Sequence, residues 1–153
     1  MRYLSLIIIS AIVFFLLFSF ISLFFPSSVT ISKAVNVYAK IETVWPQIDG
    51  KENREKWNPL EATLFKSEKP LELIEKTNAK HVYKVNASGK NMVSGWQCLP
   101  LPASDSVVIQ WYVKIPLRWY PWEKFSSLLF EKRLGVPMQQ GLDSLKATLH
   151  RSL

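Results

Sequence analysis

Val107-Val108-Ile109-Gln110-Trp111-Tyr112-Val113-Lys114-Ile115 is the segment whose reading decides the fold. Val107, Ile109, Trp111, Val113 and Ile115 occupy alternate positions, so one face of an extended strand is apolar along its whole length. Such alternation reads as one of several neighbouring antiparallel strands. Upstream, Met92, Ser94, Trp96 and Cys98 share one face of another strand, connected to the first through Pro100, Pro102 and a turn around Ser104 and Asp105. His81, Val82, Tyr83, Lys84 and Val85 read as a third strand, and the turn that follows contains Ser88 and Gly89. The stretch from Leu64 to Lys76 holds one or two further strands.

On the C-terminal side, Phe125, Leu128 and Leu129 precede a break at Leu134, Gly135, Val136 and Pro137. Met138, Leu142, Leu145 and Leu149 then recur every three or four residues, the period of a helix with one buried face. Gly135 suits a C-cap and Pro137 the first turn of the next helix. Gly141 sits mid-helix, where it costs about 1 kcal/mol against Ala, and so predicts a close neighbour.

On the N-terminal side, residues 40–57 are rich in Glu, Lys and Gln and place Ile41, Val44, Trp45 and Ile48 at helical spacing. They predict two short helices meeting near Asp49 and Gly50, with Pro46 early in a helix or at a kink. Trp57, Asn58 and Pro59 close the pair, since a residue before proline avoids the helical region. Val29, Ile31, Val35 and Val37 alternate with Thr30, Ser32, Ala34 and Asn36, giving a first strand from Val29 to Val37 whose apolar face Lys33 interrupts once. The sum is an α+β domain over residues 29–153.

Ahead of it, Tyr3 to Phe25 is a run of 23 residues without a charge. At about 1.5 Å per residue it reaches about 35 Å, enough for a hydrocarbon core of about 30 Å. The run exceeds the 7–15 residues of a signal-peptide apolar region and ends at Phe25 and Pro26 with no A-x-A-like site, which favours an uncleaved anchor over residues 1–25. No cysteine stands near its end for a lipid anchor. Pro26, Ser27 and Ser28 form a short linker. Arg2 precedes the run and the next basic residue is Lys33, so the positive-inside rule expects a cytoplasmic N-terminus and a domain on the translocated side, periplasmic or extracellular.

The formal charge is +7, or +6 without Arg2, with Lys and Arg dispersed among Glu. Dispersed positive charge suits anionic lipid or acidic partners and equally serves solubility. With no basic block, zinc spacing or nucleic-acid motif, nucleic acid is not an expected partner. Cys98 is the sole cysteine, so no disulfide forms within the chain.

Several stretches resemble the polyketide cyclase-like bacterial branch of the START-like, or SRPBCC, superfamily. Val44, Trp45 and Pro46 followed by Glu55, Lys56, Trp57, Asn58 and Pro59 are similar to its helical pair, which often ends W-x-P. Ile109, Gln110 and Trp111 resemble the V-x-W of its last strand. Pro121, Trp122, Glu123, Lys124 and Phe125, then Leu134, Gly135 and the run Gly141, Leu142, Asp143, Ser144, Leu145 and Lys146, resemble its closing G-L-x-x-L-K helix. The likeness spans most of Val29 to Leu149, and its ends are the specific part. It implies the helix-grip fold, an antiparallel sheet wrapped around a C-terminal helix, here preceded by one transmembrane helix as in other members of that branch. The family usually places six strands between the helical pair and the last helix. The 56 residues from Leu60 to Ile115 are few for six, so a hairpin is shortened or missing.

Enzymatic motifs are absent: the chain has no G-x-S-x-G, H-E-x-x-H, C-x-x-C or P-loop, and two His with one Cys are too few for an ordinary zinc site. No catalytic, metal or cofactor-binding residue is assigned, and no cofactor is expected. Cys98, flanked on its face by Trp96 and Met92, reads as an inert buried thiol. Asn86, Ala87 and Ser88 match a glycosylation sequon that a turn explains equally well. The resemblance implies a ligand cavity between the C-terminal helix and the sheet, with His81, Tyr83, Trp96, Trp111, Met138, Gly141, Leu142 and Leu145 as its candidate lining; ordinary core packing is the competing reading. Arg118, Trp119, Tyr120, Pro121 and Trp122, flanked by Lys114 and Lys124, either dock on the sheet or sit at a membrane interface.

The expectation is a membrane-anchored binding module for a hydrophobic or lipid-like small molecule. The alternatives are a cyclase- or hydrolase-type enzyme using a polar pair in the cavity, for which His81 and Tyr83 are the candidates, or an interaction module whose cavity is closed.

Overall fold

The computed structural model describes residues 2–61, 72–87, 89–102, 104 and 106–151. Its elements are α1 (Arg2–Ser22), β1 (Ser28–Val37), α2 (Ile41–Asp49), α3 (Lys51–Trp57), β2 (Glu72–Lys76), β3 (Lys80–Ala87), β4 (Lys90–Pro100), β5 (Val107–Pro116), α4 (Pro121–Ser126) and α5 (Val136–Arg151). The five strands form one antiparallel sheet in the order β1-β5-β4-β3-β2. Of the expected strands between Leu64 and Lys76, β2 is described; residues 62–71 lie outside the described set, as do Ser88 of the sequon and Asp105 of the turn.

The alternation of β5 is realised residue by residue. Val107, Ile109, Trp111, Val113 and Ile115 are buried, while Lys114 and Pro116 are exposed. Trp111 is opposite Lys33 of β1 on one side and Trp96 of β4 on the other. Register then brings His81, Tyr83 and Val85 of β3 opposite Trp96, Ser94 and Met92, so all of these share the inner face. Lys33, a charge on that face, lies on an edge strand and reaches the carboxylate of Glu131 at 2.6 Å. On the outer face Gly95 is opposite Tyr112, whose ring occupies the space that a β-carbon at Gly95 would fill. The exposed edge β2 carries Glu72, Glu75 and Lys76, charges that discourage pairing with another chain.

Two helical layers cover the inner face. Met138, Leu142, Leu145 and Leu149 of α5 are buried against it, and so are Val44, Ile48 and Trp57 of α2 and α3. The helical pair breaks at Asp49 and Gly50 as expected, with Pro46 inside α2. Gly135 is not a left-handed C-cap: the positive-φ glycine among the described residues is Gly89. Instead the chain passes from α4 through a 3-10 turn (Ser127–Leu129) and a wider π turn (Glu131–Gly135) straight into α5. A β-carbon at Gly135 would lie 2.8 Å from Glu131 Oε1 and 3.0 Å from Lys33 Cε, so the turn runs close beside that ion pair.

α1 is long and apolar enough to cross a membrane, a property that a cleavable signal sequence shares.

Candidate functional site

Beneath α2–α3, the inner face of the sheet carries two connected polar groups of side chains. The first centres on a buried ion pair. Arg54 of α3 donates from Nε to Glu61 Oε1 at 3.1 Å, and both side chains are under a tenth exposed. Its Nη1 donates to the carbonyls of Ile48 and Asp49 at 2.8 and 2.9 Å, and so caps the C-terminus of α2. Asn58 completes the group, giving a hydrogen bond to Glu61 Oε2 at 3.2 Å and accepting one from the Leu60 amide at 3.0 Å. Together with Tyr83, Val85, Ser94, Trp96 and Trp111 these residues line a cleft of about 20 Å³, room for about one water molecule. Its apolar wall is the stacked pair Trp96–Trp111, with ring centroids 4.4 Å apart, against which Trp57 packs edge-on. Ser94 accepts a hydrogen bond from Trp111 Nε1 at 3.0 Å.

The second group centres on Asp49. Its Oδ1 accepts from Tyr83 Oη and faces His81 Nδ1, each at 2.7 Å, and its Oδ2 meets Lys76 Nζ at 2.9 Å. Burial alone would raise the Asp49 pKa, but hydrogen bonds from Lys76, Tyr83 and His81 outweigh it and hold the carboxyl below its ordinary value of 3.8. An ionised carboxylate only accepts, so Nδ1 of His81 carries the proton. Burial, then the bond to Asp49 and its charge, raise the Tyr83 phenol above its ordinary value. Trp45 stacks on the buried His81 ring, centroids 3.6 Å apart, and its own Nε1 donates to the Asn78 carbonyl at 3.0 Å. Carboxylate, imidazole and phenol are the parts of an acid–base relay. Among the described residues, however, no hydroxyl or thiol hydrogen-bonds the other His81 nitrogen. Nor do three His, Cys, Asp or Glu side chains gather there as a metal site would require. Cys98 is buried, and burial, reinforced by the Asp49 charge, pushes its thiol up to about 12.

The eight expected lining residues therefore divide. Tyr83, Trp96 and Trp111 line the cleft, whereas His81 lies behind it in the Asp49 cluster. Met138, Leu142 and Leu145 are fully buried core. Gly141 faces no cavity, because a β-carbon there would meet Pro59 Cδ at 3.2 Å, Trp111 Cζ3 at 3.6 Å and the Trp57 carbonyl at 3.7 Å. The space expected between α5 and the sheet is filled by these contacts. Sequence reasoning gives Arg54 and Glu61 no role and reads Asn58 only as part of the end of the helical pair. It took Asp49 for a helix joint, although a charged residue that ends an apolar helix face invites a search for its partner.

No protein-family model matches this chain, and no curated protein does. Solved structures do match in fold. A Thermobifida fusca protein solved in solution superposes with a TM-score of 0.58 at 17% identity, over 80% of this chain and 93% of that one. A Mesorhizobium loti protein gives 0.56 at 15% identity, over 82% and 99%. A Chromobacterium violaceum protein gives 0.55 at 13% identity, over 81% and 98%. At such identities the likeness extends to the fold alone: an α+β arrangement of an antiparallel sheet with a C-terminal helix packed on it.

Proposed function

We propose that the chain is a single-pass membrane protein of the START-like, helix-grip type whose domain, on the translocated side, binds a small hydrophobic or lipid-like molecule. What supports the fold reading is the closing of the sheet with β1 beside β5, the helical pair between β1 and β2, and α5 across the inner face. The observation that carries the binding reading is the cleft. Trp96, Trp111 and Val85 offer it an apolar wall, and Arg54, Asn58, Glu61, Tyr83 and Ser94 converge on it with polar groups, the composition of a ligand site. Such a ligand contacts the Trp96–Trp111 stack with its apolar part and the Arg54–Glu61–Asn58 group with a polar end. Since the cleft holds about 20 Å³, a ligand of ordinary size enters by moving α2–α3 off the sheet. The same small volume favours a second reading, an interaction module with a closed core.

Native mass spectrometry of the full chain released from synthetic-lipid nanodiscs separates the two. The binding reading expects one retained molecule that is not a nanodisc lipid. Val85→Leu adds one methylene, about the volume of the closed cleft, and should weaken retention, at a cost of no more than about 1–3 kcal/mol in stability. A wild-type chain that retains nothing and shows no saturable uptake of a hydrophobic fluorescent probe refutes ligand binding and leaves the interaction module.

A further inference from the structure

We propose that Trp119, Trp122, Leu128 and Leu129 lie in the headgroup boundary of the bilayer that α1 crosses, making α4 and the turn after it a foot on which the domain stands. The inference rests on α1 being a membrane span.

The connection between foot and span is specific. Lys124 of α4 is buried, and its ammonium donates to the carbonyls of Ser22 at 2.9 Å and Phe25 at 3.1 Å. Ser22 ends α1, where the last carbonyls lack partners within the helix and the dipole is negative, so Lys124 caps the span. Ser22 Oγ in turn approaches the Trp119 carbonyl at 3.4 Å. The Phe125 ring meets Phe18 edge-on at 5.7 Å and Phe25 at 5.2 Å. Phe18 lies one turn before the end of α1, about 6 Å down the helix axis. A segment that touches both Phe18 and Phe25 is therefore held at the depth where hydrocarbon gives way to headgroups.

The largest side chains that this segment leaves exposed are apolar. Trp119 is 69% exposed, Trp122 62%, Leu128 66% and Leu129 52%. Single exposed apolar side chains are ordinary, but four in eleven residues beside the end of a span form a patch. Tyr120 stacks on Trp122 with parallel rings 4.9 Å apart and leans on Trp119 at the same distance, which makes one aromatic surface. Indole and phenol rings, apolar in body and polar at one edge, favour the bilayer boundary. The charges of α4 do not interrupt the patch, since Lys124 is spent on α1 and Glu123 pairs with Lys90 of β4.

The test uses the full chain reconstituted in phosphatidylcholine vesicles with or without acyl-chain bromine, comparing wild type with Trp119→Phe/Trp122→Phe. Both substitutions keep a ring, and circular dichroism checks that the fold is retained. Bromolipid quenching of tryptophan emission should fall at least about twofold in the double variant, because the other four indoles belong to the domain core and the Asp49 cluster. Iodide in the water should quench the two chains alike. Equal bromolipid quenching with greater iodide quenching of wild type would place both indoles in water, and equal quenching by both agents would mean that protein covers them; either result overturns the foot. A carbonate wash keeps the two ideas apart. Extraction of the chain defeats the span itself, whereas a retained chain with iodide-accessible Trp119 and Trp122 defeats only the foot.

Discussion

Removing one partner of the Arg54–Glu61 pair should cost far more than removing both. Arg54→Met leaves the Glu61 carboxylate under a tenth exposed, with the Asn58 amide as its one donor among the described residues, and strips the cap from the Ile48 and Asp49 carbonyls. Breaking a buried pair in this way costs about 3–5 kcal/mol, because the orphaned charge loses its counter-ion while staying shielded from bulk water. For a domain of this size about 1 kcal/mol corresponds to about 4 °C, so the melting temperature should drop by about 12–20 °C. Glu61→Leu, which orphans the guanidinium while leaving it two carbonyls, should cost less. In the double variant Arg54→Met/Glu61→Leu no charge is left behind, and stability should return to within about 2 kcal/mol of wild type, the residual deficit being the lost α2 cap. Thermal melts of the four full-length chains in detergent, followed by tryptophan fluorescence, close the cycle. If Arg54→Met melts within about 2 °C of wild type, water already reaches the pair and the electrostatic argument for the cleft fails.

The Asp49 cluster has a pH signature with a definite sign. A carboxyl whose folded pKa lies below its unfolded value contributes stability above about pH 4 and loses it as pH falls through the folded value. The stability gap between wild type and Asp49→Asn, measured by urea titration, should therefore be at its full width well above pH 3.8 and shrink below it; a gap that grows on acidification would contradict the assignment. Gly141→Leu should destabilise by about 1–3 kcal/mol, since its side chain must displace Pro59 and Trp111 instead of filling a void. A mutant at least as stable as wild type would mean that space exists beneath α5 after all.

What could be read from sequence was whatever local periodicity encodes. The alternation in β5 and the three-to-four spacing of Met138, Leu142, Leu145 and Leu149 announce elements buried on one face, and both formed as read. The two short helices and the early strand were legible for the same reason. Gly141 promised a close neighbour, and Pro59, Trp111 and Trp57 stand close to it. Gly135 misled, because a glycine before a proline at a break in periodicity looks the same whether it caps a helix or lies in a π turn that runs close beside Lys33, a residue 102 positions away. The cleft was illegible on equal grounds. Asp49 meets Lys76, His81 and Tyr83 from 27 to 34 residues away, and no local pattern marks which of many Asp, Glu, Lys and Arg side chains will pair out of water. His81 and Tyr83 were picked out because they share a strand face with apolar neighbours. The carboxylate that joins them was not.

Between the last residue of α1 and the first of β1 lie only Leu23 to Ser27. The amides of Leu23, Phe24 and Phe25 bond back to α1 carbonyls, Phe25 also accepts from Lys124, and the Ser27 carbonyl accepts from Leu117. A flexible leash of similar length would let a domain roam over about 12 Å; here almost every joint is fastened. On the proposed reading of α1 as a membrane span, the domain thus has no slack with which to leave the bilayer surface. On that reading a partner dissolved in water must come to the bilayer surface to meet it, and one resident in the bilayer reaches it by lateral diffusion in two dimensions.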